Sequence, residues 1–285
     1  MMDTVLLIVL YGLSLGFIYA LIAIGLSLVY GYMGVINLGH GVFYALGAYM
    51  AFTALSHLGN FWLGLLIAFP MVMFLGLILE RSFIRRLYGK DVVYSVVMTL
   101  GLQMILIDTI KIIWGLEPKP VGDPIQVSLT IPIVNVSFPI YRLLVMLFGV
   151  GLYTGLWLFL TRTMIGKVII AGIEDLQGVQ ALGINPLRSF TLIFALGAGL
   201  AGISGVLYAP IIMPYPYMGF EVVLYAFAIV AMGGLANLKG TLAAALIIGE
   251  SMSITGYIWS PAAAVIPFII LAVIFALKPE GLLGA

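Results

Sequence analysis

The sequence predicts an all-α integral membrane protein, a polytopic helical bundle of about eight to ten transmembrane helices. Three observations predict it. Hydrophobic residues make up 64% of the 285 residues and charged residues 8%, against about 25% charged in an ordinary soluble domain. The stretch from Thr4 to Leu79 contains no Lys, Arg, Asp or Glu, room for about three helical crossings at about 20 residues each. The charges that do occur stand in short groups between apolar runs. A chain this apolar cannot cover its own core in water, and disorder requires the opposite composition.

Residues 5–30 form the first apolar run. Asp3 precedes it without any Lys or Arg, so the basic n-region of a cleavable signal is missing and the run reads as a retained helix. Residues 31–41 (GYMGVINLGHG) interrupt it with four glycines, Asn37 and His40. A second span runs to about Ser56, residues 57–60 read as a turn, and a third span covers 61–79. Arg81, Arg85, Arg86 and Lys90 follow at once, which marks this loop as cytoplasmic by the positive-inside rule. The fourth span, 92–114, then runs outward. Residues 115–140 form an external loop in which Ile125, Val127, Leu129, Ile131 and Ile133 alternate with Gln126, Ser128, Thr130 and Pro132. That period of two predicts a short β element, with Pro132 at its edge or end.

The fifth span, 143–161, returns inward to a cytoplasmic segment at 162–188 that holds Arg162, Lys167 and Arg188. The sixth, 189–212, ends among Pro210, Pro214 and Pro216; the seventh covers 222–238, the eighth 241–258 and the ninth 262–277. Nine crossings place the N-terminus outside and the C-terminus in the cytoplasm, within a single transmembrane domain over 1–285.

Several function classes drop out. The formal net charge of +1 offers no field to hold nucleic acid. The absence of cysteine removes disulfides, thiolate catalysis and Cys-based metal sites. His40 and His57, the only histidines, stand far in sequence from any carboxylate, against a His-based metal cluster. Gly233–Thr241 (GGLANLKGT) fails as a phosphate loop, because Lys239 precedes Gly240 instead of following a Gly and leading into Ser or Thr. No nucleophile–base pair or carboxylate pair suggests an enzyme.

Two segments carry candidate function. A helix break within a membrane frees peptide N–H and C=O groups that must face protein or a water-filled cavity; at 31–41 they point to a pathway for a small polar solute, or to a kink satisfied by neighbouring helices. At 171–186 (AGIEDLQGVQALGINP), Ile173, Leu176 and Val179 recur every three residues with Glu174, Asp175 and Gln177 on other faces. The spacing predicts one short amphipathic helix stopped at Asn185-Pro186, either resting on the membrane or docking into a partner's groove. Intramembrane charge is sparse. Asp108 and Lys111 are three apart and pair on one face. Glu250 sits mid-span beside Ser251 and Ser253 with no local cation, leaving a pathway role and an assembly role open.

Residues 20–52 resemble the opening of branched-chain amino acid ABC transporter permeases of the Liv type. The family's N-x-x-H-G-x-x-Y-x-x-G-A/S-Y pattern is matched by Asn37, His40, Gly41, Tyr44, Gly47, Ala48 and Tyr49. Residues 164–208, MGGLANLKG at 232–240 and LKPEGLLG at 277–284 resemble further family segments, and the length resembles the shorter of its two permease subunits. The resemblance implies an alternating-access permease subunit of a bacterial inner-membrane importer for branched-chain or hydrophobic amino acids. Its partners would be a second permease chain, two cytosolic ATPase subunits that bind ATP and Mg, and a solute-binding protein. The residues expected to line its substrate pathway, read from the break and the intramembrane polar groups, are Asn37, Gly39, His40, Gly41, Tyr44 and Glu250. The resemblance implies an ATPase-coupling segment through Ile173, Glu174, Asp175, Leu176, Val179, Gly183 and Asn185. The family's E-A-A pattern is altered here, since Asp175 replaces the first Ala and Gly183 follows Glu174 by nine residues. Two alternatives stand beside it: an ABC permease for urea or short amides, and an ion-coupled transporter using His40, Asp108 and Glu250.

Overall fold

The computed structural model describes residues 2–131, 136–278 and 281–283. Its helices are α1 (Met2–Met33), α2 (His40–Leu58), α3 (Phe61–Ser82) and α4 (Val92–Trp114), then α5 (Ile140–Arg162), α6 (Met164–Glu174), α7 (Leu176–Ala181) and α8 (Pro186–Tyr208), and last α9 (Met218–Gly233), α10 (Leu238–Ile258) and α11 (Ile266–Leu277). Among the described residues seven helices have the length and apolar character to cross a bilayer, and α9 and α11 are apolar but shorter, at 16 and 12 residues. Together they correspond to the nine expected crossings.

Helix ends follow local chemistry. Asn60, Asp91, Thr163, Asp175, Asn185 and Asn237 each accept a hydrogen bond from a backbone N–H in the first turn of the helix they precede. Three boundaries differ from expectation. The sixth span stops at Tyr208 because Pro210 cannot continue it. The seventh is shifted to Met218–Gly233, since Gly234 at φ 93 ends it and Asn237 caps α10 at Gly240. The single amphipathic helix expected at 171–186 is two helices: α6 ends at Glu174, and Asp175, in an extended conformation, caps Gly178 and starts α7.

The expected β element is an antiparallel hairpin of β1 (Ser128–Ile131) and β2 (Val136–Pro139), with Ser128 opposite Pro139 and Leu129 opposite Phe138. It is shorter than the alternation, which begins at Ile125; Pro132 and Ile133 lie outside the described residues, as do Pro279, Glu280 and Gly284 of the C-terminal segment. Phe138 is buried against Tyr11, fastening the hairpin to the first half of α1.

The core forms around α8, almost all of whose residues are buried. Helix α1 lies antiparallel to it, since Ser204 donates to the Ile18 carbonyl at 2.8 Å and Gly197 meets Gly25. Helix α1 is likewise antiparallel to α10, where Gly12 and Gly16 face Gly249 and Ala245, and Ser253 donates to the Ile8 carbonyl at 2.7 Å. Close backbone approach at small residues and interhelical hydrogen bonds replace the hydrophobic force that lipid cannot supply between helices. At one end of the bundle the loop after α3, the α6–α7 segment and the α9–α10 turn come together. Tyr88 and Tyr32 both pack edge-on against Phe190, each at 4.9 Å, and Ala236 packs against Gly31.

Candidate functional site at the helix breaks

Helix α1 ends because Gly34 takes φ 64, a left-handed conformation suited to glycine. Residues 34–37 then run without regular structure alongside α4. Ile36 N–H donates to Ser95 Oγ at 3.3 Å and Leu38 N–H to Thr99 Oγ1 at 3.1 Å, and Thr99 Oγ1 lies 3.2 Å from the Ile36 carbonyl. Side chains four residues apart on one helix face thus satisfy the backbone that the break exposes. Gln103, four further on, is buried on the same face.

The segment leads to the start of α2, deep in the bundle. His40 Nε2 stands 3.2 Å from the Ile22 carbonyl of α1, and its ring lies near Gly25, which meets Gly197 at the middle of α8. A carbonyl only accepts, so Nε2 carries the hydrogen and Nδ1 presents a lone pair. From the opposite end, 209–217 is non-helical and α9 begins at Met218. Gly41 and Gly219, in the first turns of α2 and α9, touch backbone to backbone. Two helix N-termini, each with partial positive charge, therefore meet inside the bundle.

The polar groups around this meeting point are under-used. Asn37 Nδ2, both amide atoms of Gln103, His40 Nδ1 and the Tyr44 hydroxyl are buried without a hydrogen-bond partner among the described residues. Each such group costs about 1–3 kcal/mol when left unpaired. Asn37 and Gln103 both border Gly39, whereas the Tyr44 ring lies 6.3 Å from that of Tyr208; buried polar groups of this kind are ones that waters or a small polar solute can complete. Asn37, Gly39, His40, Gly41 and Tyr44, the expected pathway residues, all lie in the break or in the first two turns of α2. Glu250 stands apart, packed over Gly12, ten residues or about 15 Å along α1 from Ile22. Asp108 bonds Lys111 at 2.8 Å on the exposed side of α4. Ser95, Thr99 and Gln103 escaped the sequence reading, although their spacing of four on an apolar helix was the available signal.

The residues expected to couple to an ATPase lie together on α6, α7 and the turn that follows. Val179 is buried, Ile173 and Leu176 are half-buried against the core, and Glu174 and Asp175 face outward. Gly183 turns the chain at φ 77 and Asn185 caps α8. Leu182 at the tip is 79% exposed, an apolar side chain that the sequence reading passed over. A cavity of about 480 Å3 opens beside α7, lined by Tyr32, Tyr88, Leu176, Gln180, Asn185 and Phe190. Behind it lies Glu80, fully buried, which accepts from Arg85 Nε and Nη2 at 3.2 Å each, from Thr191 at 2.8 Å and from Tyr88 at 2.6 Å. Burial first, and then that hydrogen bond to Glu80, hold the Tyr88 phenol protonated well above its ordinary range.

The family model described as "Branched-chain amino acid transport system / permease component" matches residues 8–277. The chain belongs to this permease family. It is 28% identical to the permease protein BraD of Pseudomonas aeruginosa, covering 96% of this chain and 94% of BraD. It is 29% identical to LivH of Escherichia coli K12, covering 96% and 93%. Both relatives are named as permease proteins of high-affinity branched-chain amino acid transport systems. This permease is also 29% identical to LivM of the same E. coli strain, over 82% of this chain and 60% of LivM. In fold it is similar to a solved structure of PsaBC from Streptococcus pneumoniae in complex with Fab, at a TM-score of 0.51 and 11% identity, over 93% of this chain and 90% of that one.

Proposed function

We propose that this chain is the membrane permease subunit of a bacterial ABC importer for branched-chain or other hydrophobic amino acids. The near end-to-end similarity to BraD and LivH carries the reading. The site at the helix breaks supports it. An amino acid carboxylate suits the converging N-termini of α2 and α9, while its ammonium suits acceptors such as the Gln103 carbonyl oxygen and the Asn37 Oδ1. The apolar walls of α1 and α8 suit the side chain.

The chain acts as a single permease domain, N-terminus outside and C-terminus in the cytoplasm, in the inner membrane. Arg81, Arg85, Arg86, Lys90, Lys167 and Lys239 sit in or beside the loop after α3, the α6–α7 segment and the α9–α10 turn, at one end of the bundle, which suits a cytoplasmic face. A second, related permease chain completes the pathway, and a solute-binding protein delivers the substrate. ATP and Mg bind in two partner ATPase subunits, and this chain performs no catalysis of its own. The α6–α7 segment docks in those subunits through Glu174, Asp175 and Leu182. Because Gly172 of the segment packs on Tyr32 at the end of α1 and Tyr32 packs on Phe190 of α8, its displacement tilts the helices that bracket the break. The equilibrium between outward and inward states shifts by whatever contact energy differs between them.

Proteoliposomes holding the assembled complex should take up radiolabelled leucine only with binding protein and internal ATP. Uptake that persists without ATPase subunits and collapses with an uncoupler would overturn the reading. Competition by urea or acetamide, with leucine inert, would keep the machinery and change the cargo. Asn37→Leu is expected to lower leucine uptake about tenfold, from loss of one buried hydrogen-bonding group, with ATPase co-purification unchanged. Leu182→Asp should do the reverse: ATPase subunits lost on size exclusion, with the permease's thermal midpoint unchanged.

A further inference from the structure

We propose that the groove between α3 and α8 is a binding site for an anionic phospholipid, with the headgroup at Arg81 and Arg188. The groove begins as a cavity of about 430 Å3 at the end of the bundle that carries the coupling segment. On α3 its wall is Met73, Leu77 and Arg81, spaced by four and so on one face; on α8 it includes Arg188, Leu192 and Ala195. Arg85 also borders it, its guanidinium held by Glu80 and Thr191. Among the described residues the ion pairs are Arg85–Glu80 and Lys111–Asp108, so Arg81 and Arg188 face the cavity without a paired carboxylate. The local charge is positive after Glu80 is counted against Arg85.

Further along the same two helices the groove turns fully apolar. A second cavity of about 290 Å3 follows, walled by Phe69 of α3, Leu196 and Leu200 of α8, and the face of α5 at Gly151 and Gly155. A Cβ built on either of those glycines meets nothing within 4 Å, so α5 stands back there. Phe69 precedes Met73 by one turn, as Leu196 follows Leu192 by one turn, so the two cavities are consecutive. Cations at the mouth and an apolar slot leading toward the membrane interior match the two parts of an anionic glycerophospholipid. Basic pockets between helices at the cytoplasmic side bind such headgroups in other membrane proteins. The exposed apolar side chains Met71, Phe74 and Ile78 lie about a quarter turn around α3 from Met73, Leu77 and Arg81, so an apolar surface flanks the groove. The inference depends on the chain lying in a bilayer and not on the solute it carries, so failure of leucine uptake leaves it standing.

The test is native mass spectrometry of the delipidated complex titrated with phosphatidylglycerol. The wild type should retain phosphatidylglycerol in preference to phosphatidylcholine. R81Q/R188Q, with Arg85 kept, should bind it about 25-fold more weakly, at a factor of about five for each arginine. R86Q/K90Q removes the same charge outside the groove and should bind as the wild type does. Equal weakening in both double variants, or none in either, overturns the site. Displacement of the lipid by glycerol 3-phosphate alone would assign the pocket to a soluble phosphate and overturn it. So would loss of ATPase subunits from R81Q/R188Q with lipid affinity intact, which would make the pocket a protein contact.

Discussion

Exchange of Gly205 for alanine is expected to destabilise the fold by about 3 kcal/mol or more, although alanine is the better helix former by about 1 kcal/mol. A Cβ at this position overlaps the Tyr44 carbonyl oxygen and stands 2.8 Å from the carbon behind it and 3.0 Å from the Ala48 nitrogen. All three are backbone atoms of α2, so no rotamer change relieves the clash. The crossing has a second such point one turn away, where Gly47 and Gly202 touch. Helix α8 cannot retreat, because Ser204 and Gly197 hold its other side against α1. A shift of α2 would also move His40 and Gly41 away from Ile22 and Gly219, so transport should fall with stability. Gly101 on α4 is the control. A Cβ there meets nothing within 4 Å, and Gly101→Ala should leave stability unchanged or raise it by up to about 1 kcal/mol. Thermal midpoints of the two variants in one detergent decide the matter. Equal midpoints would mean that α2 and α8 do not cross in backbone contact.

Arg85→Met is expected to cost about 3–5 kcal/mol, the usual penalty for leaving a buried charge without its partner. Glu80 is fully buried, whereas the Arg85 side chain keeps 34% of its surface in solvent. The asymmetry sets the sign of the experiment. Removing the arginine strands a carboxylate that cannot reach water, and only the Tyr88 and Thr191 hydroxyls remain to it. Removing the carboxylate strands a guanidinium that can turn outward, so Glu80→Gln should cost less. The double variant E80Q/R85M should regain most of the loss, since neither charge then lies buried alone. A double variant no more stable than R85M would show that packing, and not charge pairing, holds this corner. The corner joins α3, the loop after it and the start of α8 beside the coupling segment, so the same variants should weaken the link between ATP turnover and uptake.

Much of the fold was legible because it follows from local physics. Apolar runs set the spans, since lipid leaves a peptide no partner outside its own helix. Asn and Asp before α3, α4, α7 and α10 mark their starts, because a short side-chain oxygen can cap a free N–H. The alternation after Ile125 foretold a short β element though not its second strand, and Gly34, Asn37 and His40 announced the break after α1. Boundaries were harder where one residue's cap competes with a neighbour's periodicity. Asp175 is the clear case, dividing in two a stretch whose apolar spacing reads as one helix.

Spatial convergence could not be read this way. Asn37 and Gln103 are 66 positions apart, and nothing in either neighbourhood encodes their meeting. The stripe of Ser95, Thr99 and Gln103 gains meaning only when the segment 34–37 lies along it. The contact of Gly41 with Gly219 needs α2 and α9 to enter from opposite ends, and Glu250 leaves the site because the α1–α10 pairing puts it against Gly12. By itself the sequence determined that this chain lives in a membrane, that it crosses several times, where it breaks and which family it resembles. Only the tertiary structure decided which polar groups share the break and which stand apart. Hydropathy and capping act over one or two turns, whereas a buried polar site is made of residues whose proximity depends on how whole helices pack.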